Sequence, residues 1–320
     1  MELYSADWPL FGWVADVREA LFACLEAGRP AVLGTIVALE GGAPQPLGTQ
    51  MVFDGTRATG YFSGGCIEAD VANHAQHVLA DGQPRCLTYG KGSPWIDIRL
   101  TCGGSLSILL ERIAPDDTAV CLLRECYRQR RVAYWSSTGS QRLVRYLRRT
   151  DESHAPAYTK TYLPRWRLIV TGENPIALAL VALGSQCGLE AILLRPAGTV
   201  SAMPIPGARY ISGDVIAALQ DLAPDRWTAI VAASHDDDLD DAVLQAGLAS
   251  DAYYVGVLGS LRRAAARQSR MEAVGITSEQ FRRIHSPIGL PDCGRSAWEV
   301  GVSVIAQLLQ SRKALRSSPD

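Results

Sequence analysis

The chain has 320 residues, 48% of them apolar and 20% charged, with a formal net charge of −2 at pH 7. That length suits two domains with ample cores, the balanced charge gives no electrostatic case for nucleic acid or an anionic membrane surface, and no apolar run is long enough to span a bilayer. Met1-Glu2-Leu3 opens no secretory signal, and the eight scattered cysteines contain no Cys-x-x-Cys pair, so a reduced cytoplasmic protein is expected rather than a disulfide scaffold.

Val14, Val17, Leu21, Cys24 and Leu25 recur at helical spacing, and Gly28 is a suitable terminator. Ala31 to Leu39 predicts a buried strand, Glu40 to Gly48 a loop, and Gln50 to Asp54 a second strand. Asp54-Gly55 predicts a turn with Ala58 to Phe62 returning from it. Ile67, Val71, Ala75, Val78 and Leu79 mark a helix ending near Gly82. Ile96 to Leu100 and Leu106 to Leu110 read as strands joined by a turn. A helix over Ala119 to Arg130 follows, then strands at Val132 to Ser136, Arg142 to Leu147 and Tyr158 to Leu163. The arginines between 128 and 149 read as a solvated face.

From Arg167 strands and helices alternate. Strands are expected at Leu168 to Val170, Ala191 to Leu194, Ala229 to Ala233 and Tyr253 to Leu258. Helices are expected at Pro175 to Cys187, Val215 to Leu222, Leu239 to Ala249, Arg262 to Val274 and Trp298 to Leu309. This alternation predicts a parallel, doubly wound sheet. The expected fold is therefore α/β, with a mixed α/β domain over 1–163 and a Rossmann-like doubly wound parallel-sheet domain over 164–320.

Two Gly-Gly-Cys clusters are the strongest chemical signal. The first is Ser63-Gly64-Gly65-Cys66-Ile67-Glu68 and the second Thr101-Cys102-Gly103-Gly104. Paired glycines permit close backbone approach, and a thiol at a helix start is drawn toward its thiolate by the helix field. Cys66 there suits a ligand sulfur, an oxyanion or a metal oxo group. A tight strand-to-helix turn with a packed thiol explains the first cluster equally well, and a bulged hairpin explains the second. Two cysteines fall short of a closed zinc site. His74 and His77 share a helix face, for which surface placement is the simpler account.

The hexad Gly172-Glu173-Asn174-Pro175-Ile176-Ala177 stands where a dinucleotide fingerprint belongs. Asn174 replaces the glycine that admits a pyrophosphate, Glu173 adds negative charge, and Arg195 replaces the carboxylate for a ribose hydroxyl. Ordinary NAD(P) binding is not expected. Gly259-Ser260-Leu261-Arg262-Arg263 is a better anion site, with Ser260 as a candidate N-cap and two arginines in a helix's first turn. His235, after another strand, is a candidate acid, base or ligand; Asp236 to Asp238 read as a helix cap, and Ser296 to Glu299 as a capping box.

Together these residues resemble the XdhC/CoxI family of molybdoenzyme accessory proteins. The resemblance rests on Gly48 to Met51, both cysteine clusters, Ser234-His235, Tyr254 to Ser260, Arg262-Arg263, Pro287 to Leu290 and Glu299. It implies a cytoplasmic chaperone rather than a conventional enzyme. Such a protein binds molybdenum cofactor transiently, as molybdopterin or its dinucleotide, and protects it. It assists sulfuration by a cysteine desulfurase and inserts the cofactor into an apo-molybdoenzyme of the xanthine dehydrogenase type. Family members also suggest a homodimer. Carried over, Cys66 and Cys102 contact molybdenum or its sulfur. Gly64, Gly65, Glu68, Gly103 and Gly104 shape the pocket. His235, Ser260, Arg262 and Arg263 are added as cofactor-binding candidates, the arginines facing the pterin's phosphate. A cleft between two domains that opens for release would suit such a carrier. The alternatives are an NAD(P)-dependent oxidoreductase on the second domain, opposed by Asn174 and Arg195, and a partner of a molybdoenzyme that uses only its surface.

Overall fold

In the computed structural model the first predicted helix is α1 (Arg18–Glu26), whose Leu21, Phe22, Cys24 and Leu25 are buried. Gly28 ends it in a left-handed conformation, and its N–H donates to the Leu25 carbonyl at 3.0 Å. Val14 lies before the helix and is 44% exposed, so the apolar face begins at Val17. The structure describes residues 14–63, 65, 67–90, 103–146, 158–199 and 201–316, and the chain divides into two units, Met1–Pro164 and Arg165–Asp320.

The first unit is built around the strand β1 (Ala31–Glu40). It pairs on one side with β2 (Gln50–Phe53), which carries β3 (Ala58–Gly60). The helix α2 (Glu68–Asp81) follows and ends on Gly82 in a left-handed conformation. Next come β4 (Arg85–Gly90) and β5 (Ser105–Ile113), and the sheet order is β3-β2-β1-β5-β4, all antiparallel. The expected strand Ile96–Leu100 lies outside the described residues. The place beside β5 is taken by β4, which the sequence did not predict: it is an edge strand on which only Tyr89 is buried.

The sheet is covered on both faces, which explains why β1 reads as a continuous apolar run. Val32 and Ile36 pack with Val71, Ala75 and Val78 of α2. Ala31 and Leu33 pack instead with α1, with α3 (Thr118–Arg128) and with β6 (Ala133–Ser137). β6 pairs with β7 (Arg142–Arg145) and β8 (Tyr158–Tyr162) in a separate three-stranded sheet.

The second unit is the expected doubly wound fold. Its elements are β9 (Arg167–Thr171), α4 (Pro175–Gln186), β10 (Glu190–Arg195), β11 (Arg209–Ser212), α5 (Val215–Leu222), β12 (Thr228–Ala232) and α6 (Asp237–Ala249). Then follow β13 (Tyr254–Val257), α7 (Leu261–Ala273), the short α8 (Ser278–Phe281), β14 (Ile284–His285) and α9 (Ala297–Arg316). Six parallel strands are ordered β11-β10-β9-β12-β13-β14. Chain order reverses between β9 and β12, so a crevice for ligands belongs outside their carboxyl ends. α4 and α9 pack on one face with Leu168, Val170 and Val231. α5 and α6 pack on the other with Ile169, Ile192 and Ile230. β11, α8 and β14 were not predicted, being short and at the sheet's margins.

Where β1 and β4 finish and β5 begins, three backbone segments press together. A Cβ on Gly104 would stand 2.1 Å from the Gly42 carbonyl oxygen and 2.7 Å from that of Glu40. A Cβ on Gly90 would stand 2.1 Å from the Gly104 oxygen. Because the obstructing atoms are backbone, Gly104→Ala is expected to destabilise the chain by about 1–3 kcal/mol. Urea unfolding measures this, and a loss below about 0.5 kcal/mol would contradict the packing.

Candidate functional site

The register of the first sheet sets Gly103-Gly104 beside the end of β1, while β3 finishes level with Gly34, earlier along the same strand. Glu40, the last residue of β1, pairs with Ser105, and Gly90 pairs with Ser105 from the other side. β3 runs alongside β1 in the same direction, two strands away, and leads into the first cluster. Gly64, Cys66 and Cys102 themselves lie outside the described residues.

The first cluster is organised by Glu68, which opens α2 and is fully buried. One carboxylate oxygen accepts from the N–H of Phe62 at 3.0 Å and of Ser63 at 2.6 Å. The other accepts from the Ser63 hydroxyl at 2.6 Å, Gly65 N–H at 3.1 Å and Ile67 N–H at 3.2 Å. Burial alone pushes the carboxyl pKa up, but these donors, led by Ser63, outweigh it and hold it below the ordinary glutamate value. The loop N–H groups that precede α2 are thus taken by the chain's own carboxylate, whereas the first turn of α2 itself carries no side-chain cap. Gly65 is exposed with φ 108°, and no atom lies within 4 Å of a Cβ built on it. Its glycine answers to the turn's conformation, not to crowding.

In the second cluster Gly103 is exposed at φ 71°, whereas Gly104 is buried. The close approach at Gly104, expected for a ligand, is made by the backbone of Glu40 to Gly42. No group of three or more His, Cys, Asp or Glu side chains able to hold a metal occurs among the described residues. The rings of His74 and His77 lie 6.4 Å apart, and His74 faces Asp70 at 3.8 Å.

Gln50 proves to be a buried polar anchor, a role its sequence context did not reveal. Its amide oxygen accepts from Lys160 Nζ at 2.7 Å and Tyr162 OH at 2.8 Å, and its amide donates to Thr35 Oγ1 at 3.1 Å. Lys160 also donates to the Gly48 carbonyl at 2.8 Å, and burial pulls its pKa down to about 8. The stretch Gly48 to Met51 thus fastens β8 to β2.

At the switch point of the second unit, Gly172 is pressed against Ala233, whose carbonyl oxygen would lie 2.2 Å from a Cβ there. Asn174 is the N-cap of α4: its Oδ1 accepts from the N–H groups of Ile176 at 2.9 Å and Ala177 at 3.0 Å, and its Nδ2 donates to the Ala233 carbonyl. The donors that a pyrophosphate takes in a dinucleotide enzyme are already occupied. Arg195, considered for a 2′-phosphate, pairs with Glu173 at 2.9 Å.

Asp236 caps α6, accepting from Asp238 N–H at 3.0 Å and Leu239 N–H at 3.2 Å. His235 beside it is exposed, with φ 67°. Ser260 stands at the N-cap of α7, the position expected for it, although its hydroxyl makes no capping hydrogen bond. Arg262 and Arg263 are exposed in the first turn of α7. Arg267 was not among the expected site residues. It is fully buried and bonds Asp241 through Nε at 3.0 Å and Asp237 through Nη2 at 3.2 Å. Its signal was the complementary spacing of Asp237, Asp240 and Asp241 on one helix and Arg267 and Arg270 on the next.

Known proteins share these features across both units. The profile of the XdhC and CoxI family matches residues 24–90, and that of the XdhC Rossmann domain residues 168–308. The chain is 30% identical over 303 residues to the molybdenum cofactor insertion chaperone PaoD of Escherichia coli, covering 93% of this chain and 89% of that one. The chain belongs to the XdhC and CoxI family. It is also 25% identical over 333 residues to a probable xanthine dehydrogenase subunit of Bacillus subtilis, covering 94% and 98% of the two chains. A crystal structure described as a xanthine dehydrogenase from Bacillus halodurans superposes with a TM-score of 0.73 over 93% of this chain and 96% of that one, at 22% identity, and supports the fold. Within this XdhC and CoxI protein, Pro287 to Leu290 and Glu299 serve the scaffold. Gly289 N–H donates to Gln307 Oε1 at 2.9 Å, and Glu299 Oε2 accepts from the Ser296 N–H at 2.8 Å.

The depressed Glu68 pKa sets a pH dependence. Its stabilisation is fully present above the unfolded-state value, about 4.3, and is lost as pH falls through the lower folded value. Glu68→Gln is expected to cost about 2–3 kcal/mol at pH 7 and to flatten the stability profile below pH about 4.5. Urea midpoints between pH 3 and 7 measure both; an unchanged acid slope in the variant would contradict the assignment.

Proposed function

We propose that this protein is a molybdenum cofactor insertion chaperone for a molybdoenzyme of the xanthine dehydrogenase type. The observation that carries this reading is the 30% identity to such a chaperone across 93% of the chain. The geometry supports it through the buried Glu68 carboxylate, which binds Ser63 and Gly65 of the first cluster. With the N–H groups of Phe62, Ser63, Gly65 and Ile67 engaged by Glu68, the Cys66 thiol, the exposed Gly65 and the uncapped first turn of α2 are the groups proposed to meet cargo there. Cys66 and Cys102 are proposed to touch the cofactor's molybdenum or sulfur, soft donors suited to a soft, sulfur-rich cargo. Gly64 and Gly103 would give the turns that present them. In the second unit, His235, Ser260, Arg262 and Arg263 are proposed contacts for the anionic parts of the same cargo.

Protection of the cofactor during its sulfuration by a cysteine desulfurase, transfer to the apoenzyme, a homodimeric state and a cytoplasmic location complete the proposal. No helix among the described residues is long and apolar enough to cross a membrane. The NAD(P)-dependent alternative is disfavoured by the Asn174 cap and the Glu173–Arg195 pair, which fill the expected pyrophosphate and 2′-phosphate positions.

Titration of purified molybdenum cofactor into the full-length protein is expected to show stoichiometric binding. Cys66→Ala and Cys102→Ala should each weaken it at least tenfold without lowering the melting temperature by more than a few degrees. Absence of binding by the wild type would overturn the function, and normal binding by both variants would overturn the assigned thiols.

A further inference from the structure

We infer that the anion-holding subsite of the second unit lies at the start of α7, one strand beyond the dinucleotide crevice, and that the buried Arg267 is part of it. Three observations converge. α4, α5 and α6 each have a first turn capped by their own side chain: Asn174, Asp214 and Asp236. α7 has no such cap, although Ser260 adopts the extended N-cap conformation. Secondly, Arg262 and Arg263 make no ion pair among the described residues, and each opposes the helix field in that first turn.

The third observation is Arg267. Its side chain is fully buried, and its Nη1 has no hydrogen-bond partner. Carboxylates engage the guanidinium on its other edges: Asp241 at Nε, and Asp237 and Asp240 at Nη2. Nη1 instead points to the loop, 3.5 Å from the position a Cβ on Gly259 would occupy. A buried guanidinium N–H without an acceptor is costly. A phosphate or pyrophosphate oxygen at Gly259-Ser260 would supply that acceptor, together with the open helix start and the arginines of the first turn. Gly259 has no side chain to bar the peptide shift that opens Nη1 to such a ligand. The class of ligand is a phosphate monoester or diphosphate. The inference deepens the proposed function and rests on it only for the identity of the cargo.

Inorganic pyrophosphate is the probe, titrated calorimetrically into the full-length protein at low salt. Ser260→Asp places a carboxylate where the ligand would sit, caps the helix and preserves the fold; Arg267→Lys keeps the charge and removes the fork. Wild type is expected to bind saturably, with affinity lowered at least fivefold by Ser260→Asp, whose melting temperature should equal or exceed the wild-type value. Arg267→Lys should likewise weaken binding at least fivefold. No saturable binding by wild type, or less than a fivefold loss in Ser260→Asp, overturns the subsite. Retained affinity in a folded Arg267→Lys overturns the role of Arg267. Running molybdenum cofactor beside pyrophosphate separates the two claims. Pyrophosphate binding that Ser260→Asp abolishes, without cofactor binding, leaves the subsite standing and the chaperone reading failed. Equal cofactor binding by wild type and Ser260→Asp does the reverse.

Discussion

The Glu68 carboxylate is the constraint on which the first Gly-Gly loop depends. Removing a carboxylate from water is expensive unless hydrogen bonds replace its hydration, and here main-chain N–H groups on both sides of the loop do so together with the Ser63 hydroxyl. The consequence runs both ways. The acid is held ionised although it is buried, and the N–H groups of Phe62, Ser63, Gly65 and Ile67 are held where they meet it.

The same demand for partners organises the second unit. A helix start leaves N–H groups unsatisfied, and in a doubly wound fold these are ordinarily offered to phosphates. At α4 the Asn174 side chain takes two of them and reaches across to Ala233 as well. That single side chain both closes the helix end and ties β9's loop to β12's loop. The fold's scaffold is thus retained while its usual phosphate crevice is filled by protein atoms. α7 does the opposite, with cations where a cap would be.

Long apolar periodicities were legible in the sequence, because burial on both faces of a sheet leaves uninterrupted runs such as Ala31 to Leu39 and Leu168 to Val170. β4, β11 and β14 escaped because edge strands bury few side chains: β11 has none fully buried. Among site residues, Glu68 entered as a shaper of the pocket through the family resemblance alone, since its bonds to Phe62, Ser63, Gly65 and Ile67 are set by the folded loop. At Gly104 a glycine's need for space does not say whose atoms fill it; here the nearest belong to Gly42 and Glu40. Gln50 was beyond reach, because its meaning comes from Lys160, 110 residues away in the chain, and one sequence does not display such a pairing. Arg267 left a trace in the matching spacing of acids and arginines on successive helices, but its burial against Asp241 was not legible.

Arg267 also explains why the two loops at the edge of the second sheet belong together. Asp240 accepts from the N–H and hydroxyl of Ser234 at 3.0 and 2.7 Å, and Arg267 approaches the same carboxylate at 4.0 Å. Burial pushes the Asp240 pKa up, against the pull of the Ser234 bonds and the arginine's charge. An acid poised in this way is sensitive to the cation beside it. Any acceptor that drew Arg267 toward Gly259 would weaken its hold on Asp240, whose bonds set the backbone just before His235. Ser234, in one of the motifs carrying the resemblance, is therefore tied through Asp240 to the buried Arg267, which packs beside Gly259 of another.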